Sequence, residues 1–176
     1  MKTNRTNMLP GQFNKTVDGW IHFLNDYTLE MLLQKPQPTF WSLGQVYVHL
    51  IKDTAYFIDQ MKIALSNNAN SEKEMHQDAK KMFMNNELPP VFLKGPATNS
   101  DITQPQSKEA LLKKLLCIKN EVNELILTHD MEKATGKTEH PGLGFFSALE
   151  WLQFAEMHMR HHLMQKKRID DQSFLT

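Results

Sequence analysis

The chain of 176 residues is short of several things, and each shortage closes off a class of protein. A single cysteine, Cys117, rules out an internal disulfide. It lies in "LLKKLLCIKN", an apolar-periodic run of the kind in which cysteine behaves as a small buried hydrophobe. Charge of one sign is also missing: Lys plus Arg number 20, Asp plus Glu number 20, and the formal charge is zero with histidine neutral. That balance builds no basic field for a nucleic-acid groove or an anionic membrane surface. The one local excess, "QKKR" at 165–168, suits a helix end, where cations complement the dipole. No window approaches the roughly 20 apolar residues that span a bilayer. "MKTNRTNMLPGQFNKT" at 1–16 lacks the apolar centre of a signal peptide. The expectation is a cytoplasmic protein with neither nucleic-acid nor membrane partners.

Strand formers are scarce as well. Val, Ile and Thr are sparse, no stretch alternates apolar and polar over a strand's length, and no Asn-Gly or Asp-Gly hairpin signal occurs. What the sequence does have is helical periodicity. Val17, Trp20, Ile21, Leu24, Leu29 and Leu32 predict a helix over 13–34, stopped by "KPQP" at 35–38 because proline lacks a donor and disfavours helix before it. "SLGQ" at 42–45, "SEKE" at 71–74 and "SALE" at 147–150 each place Ser three residues before Gln or Glu, the capping-box spacing. They predict helices over 42–66, 71–87 and 147–167. Another, over about 107–129, starts at Ser107 and carries Leu111, Leu112, Leu115, Ile118, Val122, Leu125 and Ile126.

Between them, "NELPPVFLKGPATNSDITQPQ" at 86–106 is too long for a bundle turn and reads as a crossover. The fold class is therefore all-α: a four-helix bundle, up-and-down with a long crossover connection, plus a short extra helix. With no repeat and no break in composition, residues 1–176 read as one domain.

The segment that looks most like chemistry is "EMHMRHHLMQ" at 156–165. Residues four apart differ by only about 40° around a helix, so His158 and His162 share a face. They flank the apolar stripe of Ala148, Leu152, Ala155, Met159 and Leu163, whereas His161 lies towards the polar side. Two histidines at this spacing are a familiar way to hold a divalent transition metal, given a third ligand from elsewhere. His49 is the candidate, on the shoulder of a helix whose stripe runs through Leu43, Tyr47, Leu50, Thr54, Ile58 and Met61. Asp53, one turn on, could orient its imidazole from outside the ligand set. On spacing alone, the favoured reading of His49 is a boundary histidine bonded to that aspartate. His22, His76, His129 and His140 read as surface or structural residues.

"FWSLGQVYVHLI" at 40–51 and "HPGLGFFSALEWLQFAEMHMRHHLMQ" at 140–165 resemble the DinB/YfiT-like proteins of the DinB superfamily. The resemblance implies a four-helix bundle in which three histidines, matched here by His49, His158 and His162, hold nickel, zinc or iron. Where many relatives carry another residue, this chain has His161. The resemblance further implies a metal-dependent enzyme, a transferase joining a low-molecular-weight thiol to a small-molecule electrophile or a hydrolase, and a homodimer. The alternative is a non-catalytic, self-associating module with a vestigial metal site. Its partner surface would include the exposed-looking Phe145 and Phe146.

Overall fold

The computed structural model describes residues 3–89 and 102–174, with side chains from Met8 onward. Four long helices dominate: α1 (Thr3–Leu24), α3 (Leu43–Ser66), α5 (Lys108–Thr128) and α6 (Ala148–Ser173). Two short helices, α2 (Leu29–Leu33) and α4 (Gln77–Asn85), lie between them, and a hairpin of β1 (Lys137–His140) and β2 (Gly144–Ser147) precedes α6. Helix α6 packs on α1 and α3, and α5 packs on the same two, so the long helices form a ring in the order α1, α6, α3, α5. No helix among the described residues is long and apolar enough to cross a membrane. Residues 90–101 of the expected crossover lie outside the described residues.

Local chemistry accounts for most boundaries. Both Ser42 and Ser147 form complete capping boxes, with Gln45 and Glu150 as the reciprocal partners. Ser107 caps α5 through the Ala110 amide. The helix expected over 13–34 is instead two helices. α1 ends at Leu24, and Thr28 starts α2 by accepting from the Met31 amide. "NDYT" at 25–28 supplies side chains that compete for the backbone and favour a cap over a helix interior.

The helix expected from "SEKE" does not form, because its residues pair elsewhere. Glu74 O accepts from the Phe145 amide and Met75 forms a bridge with Gly144, which holds 74–75 extended against the hairpin. α4 therefore begins only at Gln77. The hairpin was not expected either. Its turn is closed by Leu143 N–H donating to His140 O around Pro141-Gly142, with Gly142 at φ +96°. Pro followed by a positive-φ Gly is the signature of a type II turn. Gly144, at φ +87°, leaves no room for a Cβ, which would meet Glu74 O at 2.8 Å.

The core centres on Trp20, Trp151, Tyr47, Phe13 and Phe146, all fully buried. Burying a side chain of this size contributes about 3 kcal/mol. Phe146, expected on a partner surface, thus lies inside, while Phe145 is half-buried beneath Lys73. Cys117, expected inside, is exposed on the outer face of α5 beside Leu112 and Leu116. Three indole and phenol contacts fix the helices and the hairpin against one another. Trp20 Nε1 donates to Met159 O, Tyr47 Oη donates to Trp20 O, and Trp151 Nε1 donates to Thr138 Oγ1. The first of these fixes α6 against α1 one residue beyond His158.

Candidate metal centre

The seam between α3 and α6 brings together the histidines that the spacing singled out. The His49 ring lies 5.1 Å from that of His158 and 4.8 Å from that of His162, centre to centre. His162 Nε2 is 3.2 Å from His49 Nε2 and 3.2 Å from His158 Nε2. One ligand nitrogen from each ring lies within 4.8 Å of the other two, and among the described residues no other cluster of His, Cys, Asp or Glu could hold a metal ion.

The partners of the outer nitrogens determine where the lone pairs point. His162 Nδ1 lies 2.7 Å from Gln165 Oε1, an acceptor, so Nδ1 carries the proton and Nε2 the lone pair. The nearest acceptor to His49 Nδ1 is Asp53 Oδ1 at 3.5 Å, beyond a good hydrogen bond but close enough for the carboxylate to favour the same tautomer. Two neutral nitrogens thus turn lone pairs on each other at 3.2 Å, an arrangement that repels unless a cation lies between them. Nitrogens bound to one tetrahedral ion at about 2.0–2.1 Å lie ~3.3 Å apart. The donor set therefore fits a divalent transition metal.

Burial keeps these rings neutral. Aromatic side chains surround them: Trp41 lies 5.1 Å from His49, and Phe57 and Phe154 lie 5.6 and 6.3 Å from His158. Desolvation is the first cause that lowers the pKa of His49 to about 3 and of His162 to about 4, and that pushes His158 well below its ordinary value. The neighbouring imidazoles add to each shift. Neutral imidazole is the form that binds metal.

Asp53 touches two members of the cluster, with Oδ1 towards His49 Nδ1 and Oδ2 3.7 Å from His158 Nε2. Burial raises its pKa to about 6. The helical spacing placed Asp53 beside His49, but its contact with His158 crosses between helices and has no local signal. His161 is half-buried at the edge, its ring 5.6 Å from that of His162, and stays outside the triad. His140, expected to be a surface or structural residue, has its ring against Phe146, Trp151 and Phe154, and burial lowers its pKa to about 4. His76 is the N-cap of α4 and His129 the C-cap of α5.

The fold has a counterpart among solved structures. YfiT from Bacillus subtilis, described as a probable metal-dependent hydrolase with an unusual four-helix bundle topology, superposes with a TM-score of 0.67 at 12% identity. The match covers 97% of this chain and 89% of that one. No curated protein sequence matches significantly. The family model of the DinB superfamily matches residues 12–165, and the chain belongs to that superfamily.

Proposed function

We propose that this protein is a metal-dependent enzyme in which His49, His158 and His162 hold one divalent transition ion, nickel, zinc or iron, and leave a coordination position open. When bound, such an ion supplies the Lewis acidity that makes a nucleophile from a protic molecule near neutral pH. The nucleophile is water, giving a hydrolase, or a low-molecular-weight thiol, giving a transferase to a small electrophile. The observation that carries this reading is the meeting of His162 Nε2 with both other Nε2 atoms at 3.2 Å. The description of YfiT as a probable metal-dependent hydrolase supports the same chemistry.

The chain's own residues have distinct tasks. Gln165 fixes the tautomer of His162 through a hydrogen bond, and the Asp53 charge favours the same tautomer in His49, so that both imidazoles present Nε2 lone pairs inward. With Oδ2 beside His158, Asp53 is also placed to accept the proton that the nucleophile releases. Trp41, Phe57 and Phe154 keep water from the back of the rings.

The test is metal analysis of protein purified without a histidine tag. About one equivalent of nickel, zinc or iron is expected. A value near zero after incubation with each ion in turn overturns the reading. Assays of the loaded protein with ester and amide panels, and of thiol loss with electrophile panels, then separate hydrolase from transferase.

A further inference from the structure

The rim of the triad carries charge that the fold leaves unused. Most cations on α3 and α6 are matched to a carboxylate: Lys62 to Glu121, Arg160 to Glu156, Lys166 to Asp170 and Lys167 to Asp171. Lys52 and Arg168 are the remaining two. Both are exposed, and neither has an ion pair or hydrogen bond among the described residues. They are also the cations whose charge is felt at the triad. Lys52 acts on His49, one turn away, and Arg168 acts on His161 and His162. Long helical side chains lean towards the helix N-terminus, which carries Lys52 back towards His49, and Arg168 back along the face that it shares with His161, two turns before it. The Asp53 carboxylate feels the Lys52 charge but makes no ion pair with it, because its oxygens are turned onto His49 and His158.

Unpaired surface cations are usually just solvated. Here the same two helices neutralise every other cation they carry and leave unmatched the pair whose charge acts on the histidines of the candidate metal cluster. A neutral three-histidine set that takes up a divalent ion adds positive charge between them, so the rim attracts anions.

We propose that the substrate of this site is a carboxylate-bearing molecule, its carboxylate held by Lys52 and Arg168 while its reactive atom reaches the triad. The inference rests on the metal-centre reading. Its test is a titration of the cobalt(II)-loaded protein with 3-mercaptopropionate and with its neutral amide, followed by the visible absorption of the ion. The carboxylate is expected to bind about fivefold more tightly than the amide, the size of effect that exposed charge pairs produce. In the Lys52→Ala/Arg168→Ala double variant the two should bind alike, with cobalt content and melting temperature unchanged. Equal binding to the wild-type protein, no spectral response to either thiol, or a preference that survives in the double variant overturns this inference and leaves the metal centre standing. Failure to take up cobalt removes the metal centre, and the substrate class with it.

Discussion

Helix α6 buries polar groups on two opposite faces, and the contrast between them separates structure from chemistry. On one face Glu156, 3% exposed, is fully occupied. Its Oε1 accepts from Thr16 Oγ1 at 3.0 Å and from Arg160 Nε at 3.0 Å, its Oε2 accepts from Arg160 Nη2 at 2.9 Å, and Arg160 also donates to Asn86 O. On the other face, His158 and His162 meet His49 with nitrogens crowded together, and the Nδ1 atoms of His49 and His158 lack a hydrogen bond. A buried polar group normally finds its partners within the protein. The acid has done so and serves to dock α1 and the end of α4 onto α6. The Nε2 atoms of the imidazoles face one another, and what would satisfy their lone pairs is a cation.

The sharpest way to break this contrast is to delete one group from each face. His162→Ala should lower metal content from about one equivalent to near zero. The metal-free protein should lose little stability, because the one favourable contact removed, the hydrogen bond to Gln165, is offset by relief of the crowding against His49 and His158. Glu156→Ala should do the reverse, keeping the metal and costing about 2 kcal/mol, since it strands Arg160 and Thr16. That cost is held down because Arg160 is 37% exposed and water can reach it. Metal analysis alongside denaturant unfolding of both variants reads the two effects. Equal metal loss in both would show that the faces are one unit.

Acid should distinguish the faces next. The folded values of about 3 for His49 and about 4 for His162 and His140 lie below the ordinary ~6.5 of an unfolded histidine. Between those limits the unfolded chain binds more protons, so stability from these groups is complete above about pH 6.5 and is lost as pH falls towards 4. Each contributes on the order of 2 kcal/mol over that window. Melting temperatures of chelator-treated protein from neutral pH down to about 4.5 should therefore fall steadily. His140→Phe, which removes no member of the triad, should remove part of the slope and leave metal uptake intact. Protons also compete with the ion for the triad, so the metal should dissociate over the same range.

Asp53 gives a smaller effect that lies wholly on the imidazole face. Asp53→Asn keeps the shape but removes the charge that orients His49. Metal affinity should fall about tenfold or more, as for other groups that support a ligand from behind. The unfolding midpoint of the apoprotein should not fall, because the half-buried carboxylate makes no hydrogen bond and burial already disfavours its charge. A competition titration with a chromophoric chelator measures this. Unchanged affinity would mean that Asp53 is a bystander.

The two faces also differ in how much of them can be read from the chain. The i, i+4 pair His158 and His162, the shoulder position of His49 and the neighbouring Asp53 follow from helical geometry alone, because each relation is local. So do α3, α5 and the start of α6. The link between His49 and the α6 pair is not local; spacing left it open, and only family resemblance pointed to it. The acid face offered just a Glu-Arg i, i+4 pair, which usually marks a solvated surface. Its meaning depends on Thr16, 140 residues away. The hairpin carried a signal in Pro141-Gly142, but one belonging to a type II turn rather than the Asn-Gly kind.

Capping boxes show the same limit at the scale of one helical turn, and they supply the smallest effect. Ser42, Ser71 and Ser147 have the same sequence credentials, yet only Ser42 and Ser147 cap helices. A box forms if the four backbone units that follow are free to turn, and after Ser71 they are not. Glu74 and Met75 are already committed to Phe145 and Gly144. Ser147→Ala should therefore cost about 1 kcal/mol, the usual value of an N-cap, by freeing the first turn of the helix that carries His158 and His162. Ser71→Ala should change stability by less than about 0.5 kcal/mol, as a surface substitution does. Parallel denaturant melts of the two variants decide the point. A loss at Ser71 equal to that at Ser147 would mean that a helix does begin there in solution, and that the pairing of Met75 with Gly144 yields to it.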